Sequence, residues 1–169
     1  MFRRDAVSRA LEQIMKRVLV VVDGSTESNI AIEYAIELAT VGGGIELLLL
    51  NVRSPAPVWQ ARTSDGKSPP TKRILHRASR LSTMAGIACR ERSEEGEIPE
   101  TVIKVAREEA CDLIVWPERS MGRVARAVLM LTGFSANAFV NKIISTSPVP
   151  VTVVTDSATC HVRQFHEAH

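Results

Sequence analysis

The chain has 169 residues, of which 45% are hydrophobic and 24% charged, the proportions of an ordinary globular protein with material for one domain and a sizeable core. The formal net charge is only +2, although it is unevenly distributed along the chain. No apolar run reaches the length of a membrane span, and the opening MFRRDAVSRALEQIM lacks an apolar h-region and a small-residue cleavage site, so neither a membrane segment nor a secretion signal is expected.

Residues 1–14 read as an amphipathic helical extension, with Phe2, Ala6, Ala10, Leu11 and Ile14 at helical spacing. Arg17–Val22 is a short β-branched apolar run without polar alternation, the pattern of a strand covered on both faces. Asp23-Gly24-Ser25 breaks it with turn residues. Ser25 is placed to cap a helix, and Glu27 adds negative charge to its first turn. Ile30, Ala31, Tyr34, Ala35 and Leu38 make that helix's apolar stripe, and Gly42-Gly43-Gly44 ends it.

Ile45–Val52 predicts a second buried strand, and residues 53–70, rich in Pro, Ser and charge, a long loop. A helix follows over Thr71–Met84, with Ile74, Leu75, Ala78, Leu81 and Ser82 as its inner face. Gly86–Arg92 is short and partly polar, a third strand nearer a sheet edge. Pro99 suits the first turn of a third helix, whose stripe is Val102, Val105, Ala106 and Ala110. Leu113–Trp116 predicts the fourth strand, Val124–Ile144 a long helix, and Pro148–Val154 the fifth strand, before a polar tail over residues 156–169. The alternation predicts an α/β fold: a single open five-stranded parallel sheet with right-handed crossovers and helices on both faces. In such sheets ligands bind at the carboxyl ends of the strands, beside a helix N-terminus, which places a candidate site near Asp23.

The charge asymmetry lies in the middle of the chain. Residues 53–92 carry nine Lys/Arg against Asp65 and Glu91, and residues 93–112 carry seven Asp/Glu against Lys104 and Arg107. The basic block includes Lys72, Arg73, Arg77 and Arg80, at spacings that put several of them on one helical face. That face fits either an acidic partner such as nucleic acid or a solvated surface paired with the acidic helix that follows. With no aromatic residues interleaved and no nucleic-acid module, the second reading is favoured and nucleic acid is not an expected partner. Cys89, Cys111 and Cys160 are odd in number and far apart, which fits a reducing cytoplasm without a disulfide or zinc framework. His161, His166 and His169 match no structural zinc spacing, His76 reads as a surface residue, and no catalytic constellation is found.

Four segments in order, KRVLVVVDGSTESNIAIEYAIELA, IELLLLNV, GEIPETVIKVAREEACDLIVW and NKIISTSPVPVTVV, resemble the universal stress protein family over residues 15–155. The resemblance implies a Rossmann-like sheet of the adenine nucleotide α-hydrolase type, a stress-response role in the cytoplasm and, in one branch, ATP binding. It also implies a homodimer paired through the last strand, here Val149–Val154, with a protein partner of unknown identity. The ATP-binding branch carries G-x-x-G, nine residues and G-[S/T] after the fourth strand, where glycines let the backbone approach phosphates. Here that stretch reads Trp116-Pro117-Glu118-Arg119-Ser120-Met121-Gly122-Arg123, and the two loop glycines fall on Pro117 and Ser120. Counting back from PVPVTVV, the Gly-Ser pair falls on Asn137-Ala138; a shifted alternative uses Gly122, Gly133 and Ser135. Pro117 has no N–H to offer a phosphate, and Glu118 repels one.

Other positions of the family's pocket are present. Val22, Asp23, Gly24 and Ser25 stand at the nucleoside end, Val52 at the adenine-lining position, and Arg119, Ser120 and Gly122 near the phosphates. Asp23 equally reads as a turn aspartate that accepts from nearby backbone N–H groups, and Trp116 reads as a core or interface aromatic. The resemblance therefore implies a regulatory or binding module with weak, altered or absent ATP binding. The alternative is a genuine ATP- or AMP-binding member with a rearranged phosphate loop and slow hydrolysis, with Mg²⁺ accompanying the nucleotide. A third reading, an adenylate-forming enzyme of the same sheet type, requires paired glycines that Asp23-Gly24-Ser25-Thr26-Glu27-Ser28 lacks.

Overall fold

The computed structural model describes residues 15–53, 71–118 and 138–155. The elements in chain order are β1 (Arg17–Val21), α1 (Thr26–Gly42), β2 (Glu46–Arg53), α2 (Thr71–Met84), β3 (Cys89–Glu95), α3 (Ile98–Glu108), β4 (Leu113–Pro117), α4 (Ala138–Thr146) and β5 (Val151–Val154). The strands form one five-stranded sheet in the order β3-β2-β1-β4-β5, and every pairing is parallel. The predicted fold class is the observed one.

Period-2 alternation sorts the strand side chains onto two faces. Val18, Val20, Val22, Leu47, Leu49, Leu113 and Val115 pack with Ala31, Ile32 and Ala35 of α1 and with Ile74, Leu75 and Ala78 of α2. Leu19, Leu48, Leu50, Ile114 and Trp116 pack with Val102, Val105 and Ala106 of α3 and with Ile143 of α4 on the other face. The central strands are apolar throughout because both faces are covered, so β1 and β2 show no alternation in the sequence. Trp116 is a core residue of the second layer.

All five strands differ in their boundaries from expectation, β1 and β2 by only one residue at an end: β1 stops at Val21 and β2 spans Glu46–Arg53. β3 runs over Cys89–Glu95 rather than Gly86–Arg92. Gly86 and Ile87 donate to the carbonyls of Thr83 and Ser82, closing α2, and the strand then continues to pair Ser93, Glu94 and Glu95 with Asn51, Val52 and Arg53. As an edge strand it keeps solvent on one side, so its charged residues need no burial. β4 includes Pro117, which is buried and in register with Val154. The N–H groups of Ile114 and Glu118 face β5, so the proline nitrogen faces β1, and the β1 ladder already ends at Val115. A missing donor costs nothing there. β5 begins at Val151, after two prolines that cannot donate to a ladder.

The N-terminal extension, the 54–70 loop, most of the predicted Val124–Ile144 helix and the C-terminal tail lie outside the described residues.

Candidate functional site

Strand order reverses at β1. The chain proceeds from β1 outward through β2 to β3, and then returns to place β4 on the other side of β1. From β1 it departs into α1 on one face, whereas Ile143 of α4, the last described helix before β5, packs on the other. Where connections diverge in this way, open α/β sheets form their ligand crevice at the carboxyl ends of the flanking strands, here β1 and β4.

The floor of that crevice is built by the chain leaving β1. The Val22 N–H donates to the Leu50 carbonyl at 2.8 Å, extending the ladder one residue past the strand. The Val22 carbonyl accepts from Asn51 Nδ2 at 2.6 Å. Asp23 then turns the chain, and its Oδ1 accepts from the Ser25 N–H at 2.9 Å. This is an Asx turn. Gly24 sits at φ +83°, a left-handed conformation that a side chain would strain. Ser25 caps α1 as its residue type predicts: its Oγ accepts from the Ser28 N–H at 3.1 Å, and the buried Ser28 returns its own hydroxyl to the Ser25 carbonyl at 3.2 Å. Glu27 stands in the first helical turn.

The predicted residues therefore divide. Val22, Asp23, Gly24 and Ser25 are one continuous strand-turn-cap unit. Val52 is half-buried near the end of the neighbouring strand β2 and packs on the second core layer. Arg119, Ser120 and Gly122 lie outside the described residues. The turn reading of Asp23 is realised in its bond to Ser25.

Asn51 escaped the sequence reading. It is 5% exposed, and its amide ties the end of β2 to the last carbonyl before the Asp23 turn. The available signal was a lone amide closing the apolar run IELLLLNV, because a buried amide must find a partner. On the β4 side, Pro117 has no N–H, and the Glu118 N–H is spent on the Val154 carbonyl at 2.8 Å.

Along edge strand β3 and toward the amino ends of β1 and β2, the charge asymmetry resolves into a network. Arg17 binds Glu46 at 2.8 Å, and Arg90 binds Glu46 and Glu109, each at 2.9 Å. Arg92 binds Glu94 at 2.7 Å, Glu108 at 2.6 Å and Glu109 at 2.9 Å. Hydrogen bonding to Arg90, reinforced by Arg92, holds the Glu109 carboxyl below the usual carboxylate range. Bonds to Glu94 and Glu108 push the Arg92 guanidinium further up. The expected pairing of the basic block with the acidic helix thus holds for Arg90 and Arg92 of β3. It does not hold for Lys72, Arg73, Arg77 or Arg80, which make no ion pair with any described residue. Burial pushes the Cys111 thiol up to about 11, which keeps it protonated and unreactive.

A parallel sheet with its strand order reversing at β1 and a capped helix beginning beside the crevice defines an α/β protein of the switch-point ligand-binding class. Residues 15–155 match the Universal stress protein family, and the chain belongs to it. A universal stress protein of the cyanobacterium Synechocystis is 29% identical over 143 residues, covering 83% of this chain and 86% of the relative. Among solved structures, a universal stress protein in complex with cAMP aligns with a TM-score of 0.59 at 23% identity, over 84% of this chain and 98% of that one. A universal stress protein family protein from Arabidopsis thaliana with AMP bound aligns with a TM-score of 0.60 at 14% identity, over 85% and 93% of the respective chains. Among the described residues no helix is long and apolar enough to cross a membrane.

Proposed function

We propose that this universal stress protein is a cytoplasmic regulatory binding module whose crevice takes the nucleoside monophosphate part of an adenine nucleotide and lacks a full triphosphate cradle. Val22, Asp23, Gly24, Ser25 and Val52 surround the nucleoside in this reading, and Arg119, Ser120 and Gly122 meet the first phosphate. The observation that carries it is at the end of β4. Pro117 is built into the strand, and the neighbouring Glu118 N–H is committed to Val154, so neither position offers a backbone donor to a phosphate chain. Glu118 also brings negative charge to that side. Relatives of the same fold described with AMP and with cAMP support the monophosphate.

Titration calorimetry with AMP, cAMP and Mg²⁺·ATP tests the reading. AMP binds at least as tightly as ATP, and Asp23→Asn, which keeps the turn acceptor, weakens AMP by about tenfold, the worth of one charge-assisted hydrogen bond. Mg²⁺·ATP binding tenfold tighter than AMP would establish a rearranged triphosphate site instead, and the absence of binding at millimolar nucleotide would overturn the proposal.

We further infer that Val149–Val154 joins two copies into a homodimer. β5 pairs only with β4 within the described sheet, and its four residues are half-buried. The carbonyls of Pro150 and Val154 face β4, so the Val153 N–H points to the open edge. Light scattering after gel filtration reads a dimer for the native chain and a monomer for Val153→Pro; a native monomer sinks the inference.

A further inference from the structure

Among the described residues the four cations of α2 have no acidic partner, and their placement is one-sided. At 100° per residue, Lys72, His76, Arg80, Arg73 and Arg77 fall within a single arc of the helix, and all are exposed. The opposite arc carries Ile74, Leu75, Ala78 and Ser82, all buried in the core. α2 contains no Asp or Glu. Glu33 and Glu37 of α1 and Glu91 of β3, on elements that pack against α2, form no ion pair with it.

Lys72 to Arg80 spans about 12 Å of helix axis, so the four cations stand on average about 4 Å apart along it. That density is close to the phosphate density of one nucleic-acid strand, about one charge per 3.4 Å. A bilayer is disfavoured because the apolar face of α2 is held in the core and cannot enter lipid. The absence of aromatic side chains from the arc removes base stacking and leaves the backbone as the contact.

We propose that the outer face of α2 binds the phosphodiester backbone of nucleic acid, without reading sequence. Fluorescence anisotropy tests it with the full chain, using a labelled duplex DNA of about 20 base pairs and a single-stranded RNA of equal length. Four phosphate contacts predict duplex affinity falling with salt at a slope of about −3.6, on the order of 100-fold between 50 and 200 mM NaCl. Arg77→Gln/Arg80→Gln cuts that slope to about −1.8, and the charge-matched control Arg53→Gln/Arg107→Gln leaves it unchanged. All four positions are exposed, and circular dichroism confirms that both variants stay folded. The DNA and RNA arms decide which polymer binds better, and binding to either supports the proposal. It is overturned by no binding to either at 50 mM NaCl, by equal slopes in the two double variants, or by tighter binding to polyglutamate or to anionic phosphatidylserine vesicles.

Discussion

Asn51 Nδ2 donates to the Val22 carbonyl at 2.6 Å, joining the end of β2 to the last residue before the Asp23 turn. The bond is buried and links residues 29 apart in the chain. It sets where β1 stops and the crevice begins. Asn51→Leu keeps the volume but leaves that carbonyl unpaired in the interior, a cost of about 1–3 kcal/mol. Urea unfolding reads it as a lower midpoint at unchanged slope. The same variant weakens AMP, because the Asp23 turn loses its anchor; normal AMP affinity in the folded variant would show that the turn holds itself.

The Ser25 cap is a local test of the same unit. Ser25→Ala removes the acceptor for the Ser28 N–H and lowers stability by about 1 kcal/mol, whereas Ser25→Asp retains the cap. Equal stability of the two variants in thermal melts would mean that water replaces the hydroxyl fully.

Acid stability should follow the Arg90–Glu109–Arg92 cluster. The Glu109 carboxyl is held below its ordinary value, chiefly by Arg90, so the folded state releases that proton more readily than the unfolded chain. Its stabilising contribution is present above the ordinary carboxylate range and is lost as pH falls through the lowered folded value. Glu109→Gln therefore loses stability at pH 7 and shows a shallower decline on acidification than the native chain. Denaturant titrations from neutral to acidic pH check this, and parallel curves for the two proteins would refute it.

Ala110 follows α3 in a left-handed conformation, φ 48°, while the Cys111 N–H closes the helix end on the Ala106 carbonyl at 2.8 Å. A side chain there is strained. Ala110→Gly relieves the strain and raises stability by about 0.5–1 kcal/mol, net of glycine's greater freedom in the unfolded chain. An unchanged or lower melting temperature would contradict that.

Gly96 presents the opposite case. It sits at φ +150°, and an added Cβ would lie 2.7 Å from Thr101 Oγ1. Gly96→Ala combines backbone strain with a contact that must shift, for about 1–3 kcal/mol. Adding Thr101→Ala relieves only the contact, so the double variant recovers part of the loss; full recovery would show that the backbone is unstrained.

What the chain alone determined was everything that depends on neighbours in sequence. Apolar runs without alternation marked β1 and β2 as buried on both faces, Ser25 marked the start of α1, and the order of elements was enough for a parallel sheet. Asp23 was legible as a turn residue because an Asx turn is made within three residues. Only the tertiary structure decided the rest, because those decisions join residues far apart in the chain. Asn51 finds its acceptor 29 residues away, and Arg90 reaches Glu46 over 44. β3 extends to Glu95 because edge position, not hydrophobicity, keeps its charges solvated. Local patterning could count the cations of residues 53–92; only the fold could assign the glutamates to β3 and leave the arginines of α2 without them.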